Sequence, residues 1–553
     1  MKTFRIVENE YGIIEKIKVY NELEFDNVKT FIEFCEKYTG KLYGEGVHSI
    51  LIAIEGGYEN FKVKSTLKNG LTARLRIGKT TLVDVSAWNM GIDETKNSYE
   101  KMKEIEAQGY VSSSPSAEVN KNFNEAMGYK EAQARAKYRP SILDAYLSSS
   151  KYPSWGFKPA YSGGILTSPA DPNKIYENVV SYDISSAYPY AALTTKLPVS
   201  ESHMLEEKDV KRLRVENGKL NISDEYGFIG VFKVYGAKRK EWVKAPFLKR
   251  DDREFLENGY IDPLGIVSGD ITIAMCPDDL RILHLQYTYK RIEVINISVH
   301  RLGRLPEKAI KFIEEAYFNK NMREKGTPER EKAKVALNTI VGFWGTDSFN
   351  SMKENYIKEG VIYESYNGDL KEKFKQYSGE GRKVGRTAGF PRTWDFRWAV
   401  YTVAAVRRRI AEAEKELYDS GAELLYIDTD SIKVNDKTST AVDIFEKLNK
   451  KVPAKYRKIG LGVWVDESNK FKKAVFRGVK VYFHEDENGE RHTAVSGVDL
   501  ESAKKFNEIP FEKLADKETP IKIKIKRRAV AYLENDKFGA KAAYAIRHID
   551  ITY

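Results

Sequence analysis

Short apolar runs that end on a carboxylate recur along the chain and set its plan. Leu424-Leu425-Tyr426-Ile427 and Ile432-Lys433-Val434 flank Asp428-Thr429-Asp430, which reads as two strands joined by a tight turn bearing two acids. Val179-Val180-Ser181-Tyr182 is another apolar strand and ends at Asp183. The Tyr188-Pro189 pair after it stops the strand, because proline brings no N–H to a ladder. Helical spacing fills the interval between these strands: a stretch from about Pro306 to Asn338, with Lys334, Asn338 and Val341 on one face, and a long helix from roughly Thr393 to Ser420. Thr81-Leu82-Val83-Asp84-Val85-Ser86 reads as a strand near the N-terminus. Near the other end, Ile521 to Arg528 alternates with period two, so one face packs and the other shows a row of cations. That row suits a strand tracking phosphates, and equally an edge strand guarded by lysine. Serine-rich joints at 112–116 and 148–153 read as linkers, and no internal repeat is visible.

The chemistry follows from the acids. Asp428 and Asp430 repel each other unless a cation neutralises them, and hard oxygen ligands on a rigid turn suit Mg²⁺, which fills the rest of its shell with water and substrate phosphates. Asp183 supplies a third ligand, and Lys320 and Lys334 stand where an ammonium can meet a triphosphate. Taken singly, each feature has a bland reading, a solvated Asp-Thr-Asp turn or a solvated helix lysine. Arg407-Arg408-Arg409 either reach toward a polyanion or face water, and water is the simpler reading.

The order of these segments resembles the family B DNA polymerases: Asp-x-x-Ser-x-Tyr-Pro from Asp183, Lys-x-x-x-Asn from Lys334, then Tyr-x-Asp-Thr-Asp-Ser from Tyr426. Tyr161-Ser162-Gly163-Gly164 looks like the family's Tyr-x-Gly-Gly element, and Lys480-Val481-Tyr482 like its Lys-x-Tyr element. The stretches at about 245–299 and 347–391 fall where the protein-primed phage and plasmid subgroup carries two insertions. The second is rich in Lys, Gly and Tyr, as a hairpin touching phosphate backbone would be.

The resemblance implies an α+β, multidomain right-hand polymerase: an exonuclease-like domain over 1–150, palm and fingers over 151–483, a thumb over 484–553. It implies template-directed DNA synthesis by two metal ions, Mg²⁺ with Mn²⁺ able to substitute, held by Asp183 and Asp430 with Asp428 assisting. Ser186, Tyr188, Lys320, Lys334 and Asn338 would meet the nucleotide, Tyr188 excluding a 2′-hydroxyl. Tyr161, Gly163, Gly164, Ser431, Lys480 and Tyr482 would meet DNA. Implied partners are primer-template DNA, deoxynucleoside triphosphates and a terminal priming protein, with the polymerase a monomer capable of strand displacement. A primer-independent polymerase-primase would share every catalytic residue, and a non-catalytic polymerase-fold scaffold would not need them. Reverse transcriptases use adjacent aspartates, so Thr429 argues against that class.

Two departures from the family pattern stand out. Val341 precedes Gly342 where the family commonly has tyrosine, and a β-branched aliphatic cannot stack on a base. In the N-terminal region Phe4 to Glu10 and Leu42 to Ser49 lack the family's exonuclease carboxylates, and Glu8, Glu10, Glu45 and Asp84 do not reproduce their spacing. A degenerate exonuclease domain without proofreading is the expectation.

Composition agrees. The 553 residues are 42% hydrophobic, enough for several cores, and the net charge of +11 favours a polyanionic partner. Cys35 and Cys276 make neither a disulfide framework nor a zinc cluster, and no apolar run is long enough to span a bilayer. Met1-Lys2-Thr3-Phe4-Arg5 leads into no signal-peptide core, so a cytoplasmic location is expected.

Overall fold

The architecture is that of a computed structural model. It describes residues 2–8, 14–19, 23–44, 46–47, 50–51, 63–68, 71–84, 100, 115–128, 160, 163–167, 171–324, 327–345, 353–358, 361–366, 382–386, 395–436, 439–495, 505–516, 522–530, 535–536, 539–540 and 544–552. Tyr161, the joint at 148–153 and most of 347–391 lie outside the described residues. The joint expected at 112–116 gives way at Pro115 to a helix, Pro115–Ala126, for proline is at home in a first helical turn where its missing N–H costs nothing.

A five-stranded sheet carries the two acid-ended strands. Its order is Trp464–Asp466, Val180–Ile184, Ser431–Asn435, Glu423–Thr429, Ile165–Leu166, and the described neighbours are antiparallel. Alternation sends Ile184, Ile427, Ile432 and Val434 to one face, where they share a core with Val406, Ile410 and Leu417 of the helix Arg397–Asp419. That helix starts where Asp395 accepts the N–H of Arg397 and stops where Gly421 turns the chain at φ +82.

A seven-stranded sheet built on Tyr226–Arg239, Gly265–Met275 and Arg291–Gly303 packs Phe232, Ile271 and Ile297 into that same core. The stretch 245–299 therefore does not stand apart. It supplies strands to a sheet whose first member is Leu197–Pro198, between the helices Ala187–Thr194 and Glu307–Asn321.

The helical stretch expected over 306–338 is two helices, Glu307–Asn321 and Pro328–Trp344. Pro328 cannot continue a preceding turn, because its ring clashes with the carbonyl four residues back. Lys334, Asn338 and Val341 line up along the second helix at helical spacing, and their surroundings change along it: the first two are exposed, whereas Val341 is 4% exposed in one core with Trp344, Leu337 and Tyr317.

At the N-terminus, Lys2–Glu8, Gly40–Gly44 and Thr80–Asp84 run parallel within a ten-stranded sheet. Val28–Lys37 covers it, burying Phe31, Ile32 and Cys35 along one helical stripe. Lys353–Lys358, Val361–Tyr366 and Arg382–Arg386, from the second expected insertion, extend the same sheet through the pairing of Gly385 with Ser65. Downstream of the site, Arg491–Val495, Val481–Glu485, Lys473–Gly478 and Tyr176–Glu177 form a four-stranded sheet. The period-two stretch becomes Lys522–Val530, paired with Tyr544–Thr552.

Candidate active site

Asp428 and Ser431 face each other across a two-residue turn, Thr429-Asp430, so the sheet edge thrusts Asp428 and Asp430 forward side by side. Ser431 also pairs with Asp183 on the neighbouring strand, which brings the third carboxylate to the same edge. A cavity of about 520 Å³ opens there, lined by Asp183, Tyr188, Asn338, Asp428, Thr429, Asp430, Ser431, Lys480 and Tyr482. Eight of those nine were singled out from the sequence, and they come from four separate stretches of chain.

The backbone around this cleft is unusual. Ser186, Thr429 and Lys480 hold left-handed conformations at φ +49, +64 and +56, which cost a non-glycine residue roughly 1 kcal/mol or more. Thr429 is also β-branched, so its turn persists only because the surroundings enforce it. Gly164 is part of that enforcement: a Cβ there would meet Thr429 Cγ2 at 2.8 Å, which gives the Gly-Gly element a physical reason. Lys480 is fixed by its backbone N–H, donated to the Tyr426 hydroxyl at 2.7 Å. The buried Tyr426 packs against the Tyr482 ring at 5.4 Å, so the tyrosine before the Asp-Thr-Asp turn anchors the Lys-x-Tyr strand.

Electrostatics gather at the same edge. Burial, then the neighbouring Asp430 and Glu467 charges, push Asp183 up to about 7. Burial and the Asp428 charge push Asp430 up to about 6. Lys480 Nζ lies 3.3 Å from Asp428 Oδ1. Lys320 stands next to the cleft, where its Nζ donates to Ser186 Oγ at 3.0 Å and lies 5.9 Å from the Tyr317 ring centre. Lys334 is exposed on the same helix as Asn338 and one turn before it, outside the cavity lining. Gly163 and Gly164 lie behind the turn instead of in the cleft.

The arginine triplet is engaged by the fold, Arg407 buried and Arg408 and Arg409 half-buried. Arg407 is 1% exposed, donating to Asp279 Oδ1 at 2.5 Å and to the Gly163 carbonyl at 3.1 Å. Arg408 donates to Asp278 at 2.6 Å, and Arg409 donates to the Gly462 carbonyl while stacking 4.6 Å from the Tyr190 ring centre. Lys249, also missed, donates to the Gly164 carbonyl at 2.5 Å. Arg407 and Lys249 pin the Gly163-Gly164 segment that leads into Ile165–Leu166, and the partners of all four cations lie too far along the chain for local pattern to reveal them.

The N-terminal sheet ends differently. Asp84 is 4% exposed, and its Oδ2 accepts the backbone N–H groups of Gly46 and Val47 at 3.1 and 3.0 Å. Glu10 and Glu45 lie outside the described residues.

Residues 150–380 match the family described as DNA polymerase type B, organellar and viral. Among curated proteins, none matches by sequence. Among solved structures, Phi29 DNA polymerase complexed with primer-template DNA and incoming nucleotide substrates is similar at a TM-score of 0.65 and 14% identity, covering 100% of this chain and 99% of that one. Phi29 DNA polymerase in an orthorhombic crystal form is similar at 0.62 and 16% identity, over 93% of this chain and 95% of that one. The fold is that of a multidomain α+β right-hand polymerase. Among the described residues, no helix is long and apolar enough to cross a membrane.

Proposed function

We propose, from the premise that this chain is a family B DNA-directed DNA polymerase, that the cleft around Asp183, Asp428 and Asp430 adds deoxynucleotides to a primer in the manner of the protein-primed subgroup. The observation that carries the reading is the meeting of three carboxylates with Tyr188, Asn338, Lys480 and Tyr482 in one cleft, on a two-residue turn whose Thr429 is held left-handed.

The residues fit a pair of divalent ions. Hard oxygen donors are crowded until burial and mutual repulsion raise two of them, the mark of a site whose negative charge calls for a cation. Asp183 and Asp430 would hold Mg²⁺, or Mn²⁺ in its place, and Asp428 would assist. When bound, such ions activate a 3′-hydroxyl and offset the charge of departing pyrophosphate.

The chain's own groups do the rest. Lys320, already beside Ser186, neutralises phosphate oxygens as a compact point charge, and Lys334 approaches from the exposed side of its helix. Tyr188, held in the cleft wall by the proline that follows, presents a ring to the sugar and leaves no room for a 2′-hydroxyl. Lys480 and Tyr482 border the position of the primer end. Val341 lies in the core and does not touch the base, so base selection rests on the exposed Asn338 and on template pairing.

The N-terminal domain holds DNA without proofreading, since the Asp84 carboxylate is engaged by backbone amides. A terminal protein supplies the first hydroxyl, the chain acts as a monomer in the cytoplasm, and the strands at 353–386 assist displacement of a downstream strand. Primer extension on a DNA template, with and without a candidate terminal protein, tests the reading: elongation that requires template, deoxynucleotides and Mg²⁺ is expected, and its absence with every component present overturns it.

A further inference from the structure

Lys433 is the only lysine among the buried charged residues described, at 3% exposed. It stands on Ser431–Asn435, opposite Ser181 on one side and Tyr426 on the other, while Ser431 stands opposite Asp183 and Asp428. Side chains alternate along a strand, so Lys433 shares a sheet face with Asp183 and Asp428 and sits one row deeper, roughly 7 Å along the strand. Its Nζ donates to Ser431 Oγ, the residue between the two acids. The rings of Phe471 and Tyr482 close over it, with centres 5.5 and 5.8 Å from Nζ. The Ser181 hydroxyl beside it is buried and has no hydrogen-bond partner among the described residues.

An ammonium in such a place is expensive to desolvate, and two aromatic faces and one hydroxyl offset only part of that cost. Burial pulls Lys433 below its ordinary value, while Asp183, Asp428, Glu467 and Asp430 each pull the other way toward its charged form, as Lys433 in turn favours the ionised forms of Asp183 and Asp430. Lys433 thus sits one row behind the carboxylates and outside the cavity lining, where a metal ion entering from the mouth cannot displace it.

We propose that Lys433 is a built-in counter-charge that sets how tightly the carboxylate cluster of Asp183, Asp428 and Asp430 holds divalent ions. It steadies the cluster when no ion is bound and repels an ion that arrives, so ions are held weakly enough to come and go with each nucleotide. Lys433 is a positioning residue in this scheme, and the scheme rests on the metal-binding reading of the cleft.

The test is titration calorimetry of Mn²⁺ alone, without DNA or nucleotide, at about pH 8.5, above the range to which burial and repulsion raise the carboxylates. Lys433→Met keeps the length and removes the charge, and Lys433→Gln is neutral yet keeps a donor for Ser431. Loss of a unit charge this close, in a partly buried site, predicts Mn²⁺ binding tighter by roughly tenfold or more. Lys433→Arg, which keeps the charge, should bind like wild type. The half-saturating Mg²⁺ concentration for primer extension should fall in parallel. If whichever neutral variant folds binds Mn²⁺ within twofold of wild type, or more weakly, the inference fails. Asp430→Asn separates the two claims: should it bind Mn²⁺ as wild type does, the metal reading fails, whereas its loss of binding beside unchanged Lys433 variants overturns the Lys433 inference alone.

Discussion

Two sheets in this chain each end a buried strand on an aspartate, and the two ends have opposite characters. At the N-terminal sheet Asp84 spends its carboxylate on the amides of Gly46 and Val47, so the charge is satisfied within the fold. At the five-stranded sheet Asp183 and Asp430 crowd against each other and against Asp428, and the backbone beside them is held left-handed at Thr429. An acid whose lone pairs are filled by amides builds structure. Acids gathered until they resist ionisation are kept for a partner that structure alone does not supply.

The largest break in that comparison comes from exchanging acids for amides. Asp183→Asn or Asp430→Asn should lower nucleotide addition by at least about 10³-fold with DNA binding largely intact, because the ions are lost and the basic surface is not. Asp84→Ala should leave addition by folded protein within a few-fold, but destabilise the N-terminal sheet by about 1–3 kcal/mol, since one buried and one half-buried amide lose their acceptor. Steady-state extension beside thermal unfolding checks both. Comparable loss of addition in folded Asp84→Ala would erase the distinction.

Arg407 extends the contrast to cations. Arg407→Met should cost about 3–5 kcal/mol, the penalty of leaving Asp279 buried without its partner. The salt dependence of DNA binding should not change, because that guanidinium never reaches phosphate. A shallower salt slope in the variant would return Arg407 to the surface role suggested by its sequence neighbours.

A smaller effect is expected at the cleft wall. Tyr188→Ala should reduce discrimination against ribonucleotides on the order of 10–100-fold while deoxynucleotide addition survives, measured as the ratio of kcat/KM values. An unchanged ratio would move the steric gate elsewhere.

The smallest effect concerns a buried acid outside both sites. Glu414 accepts the N–H groups of Lys244 and Ala245, yet burial pushes it up to about 7 from an ordinary value of 4.5. A carboxyl raised in the folded state opposes folding increasingly as pH climbs from its unfolded value through the folded one. Glu414→Gln keeps the acceptor and removes that opposition, so it should stabilise the protein by about 1–3 kcal/mol at about pH 8 and by little near pH 4.5. Denaturant midpoints at the two pH values check the sign.

Much of the cleft was legible because its parts are local: an acid turn, a strand ending in aspartate, a Tyr-Pro, each specified within a few residues. What stayed hidden depends on distant partners. Arg407 is buried by Asp279, from a helix 128 residues earlier. Lys433 is buried because Phe471 and Tyr482 cover a strand face that its own alternation leaves open. Val341 lies on the same side of its helix as Lys334 and Asn338, and its burial depends on Tyr317 and Trp344, neighbours that spacing alone does not reveal. The proline break at Pro328 was visible in the sequence, and the apolar periodicity on either side of it hid the boundary.

The central claim, one working acid cluster and one that only builds structure, meets its most direct test in a single end-labelled primer on a longer DNA template with Mg²⁺. With deoxynucleotides the primer should lengthen to the template end, and Asp430→Asn should abolish this. Without deoxynucleotides the label should remain at its starting length in both proteins. Shortening of the primer that persists in Asp430→Asn and disappears in Asp84→Ala would show a second metal centre in the N-terminal sheet and contradict the account.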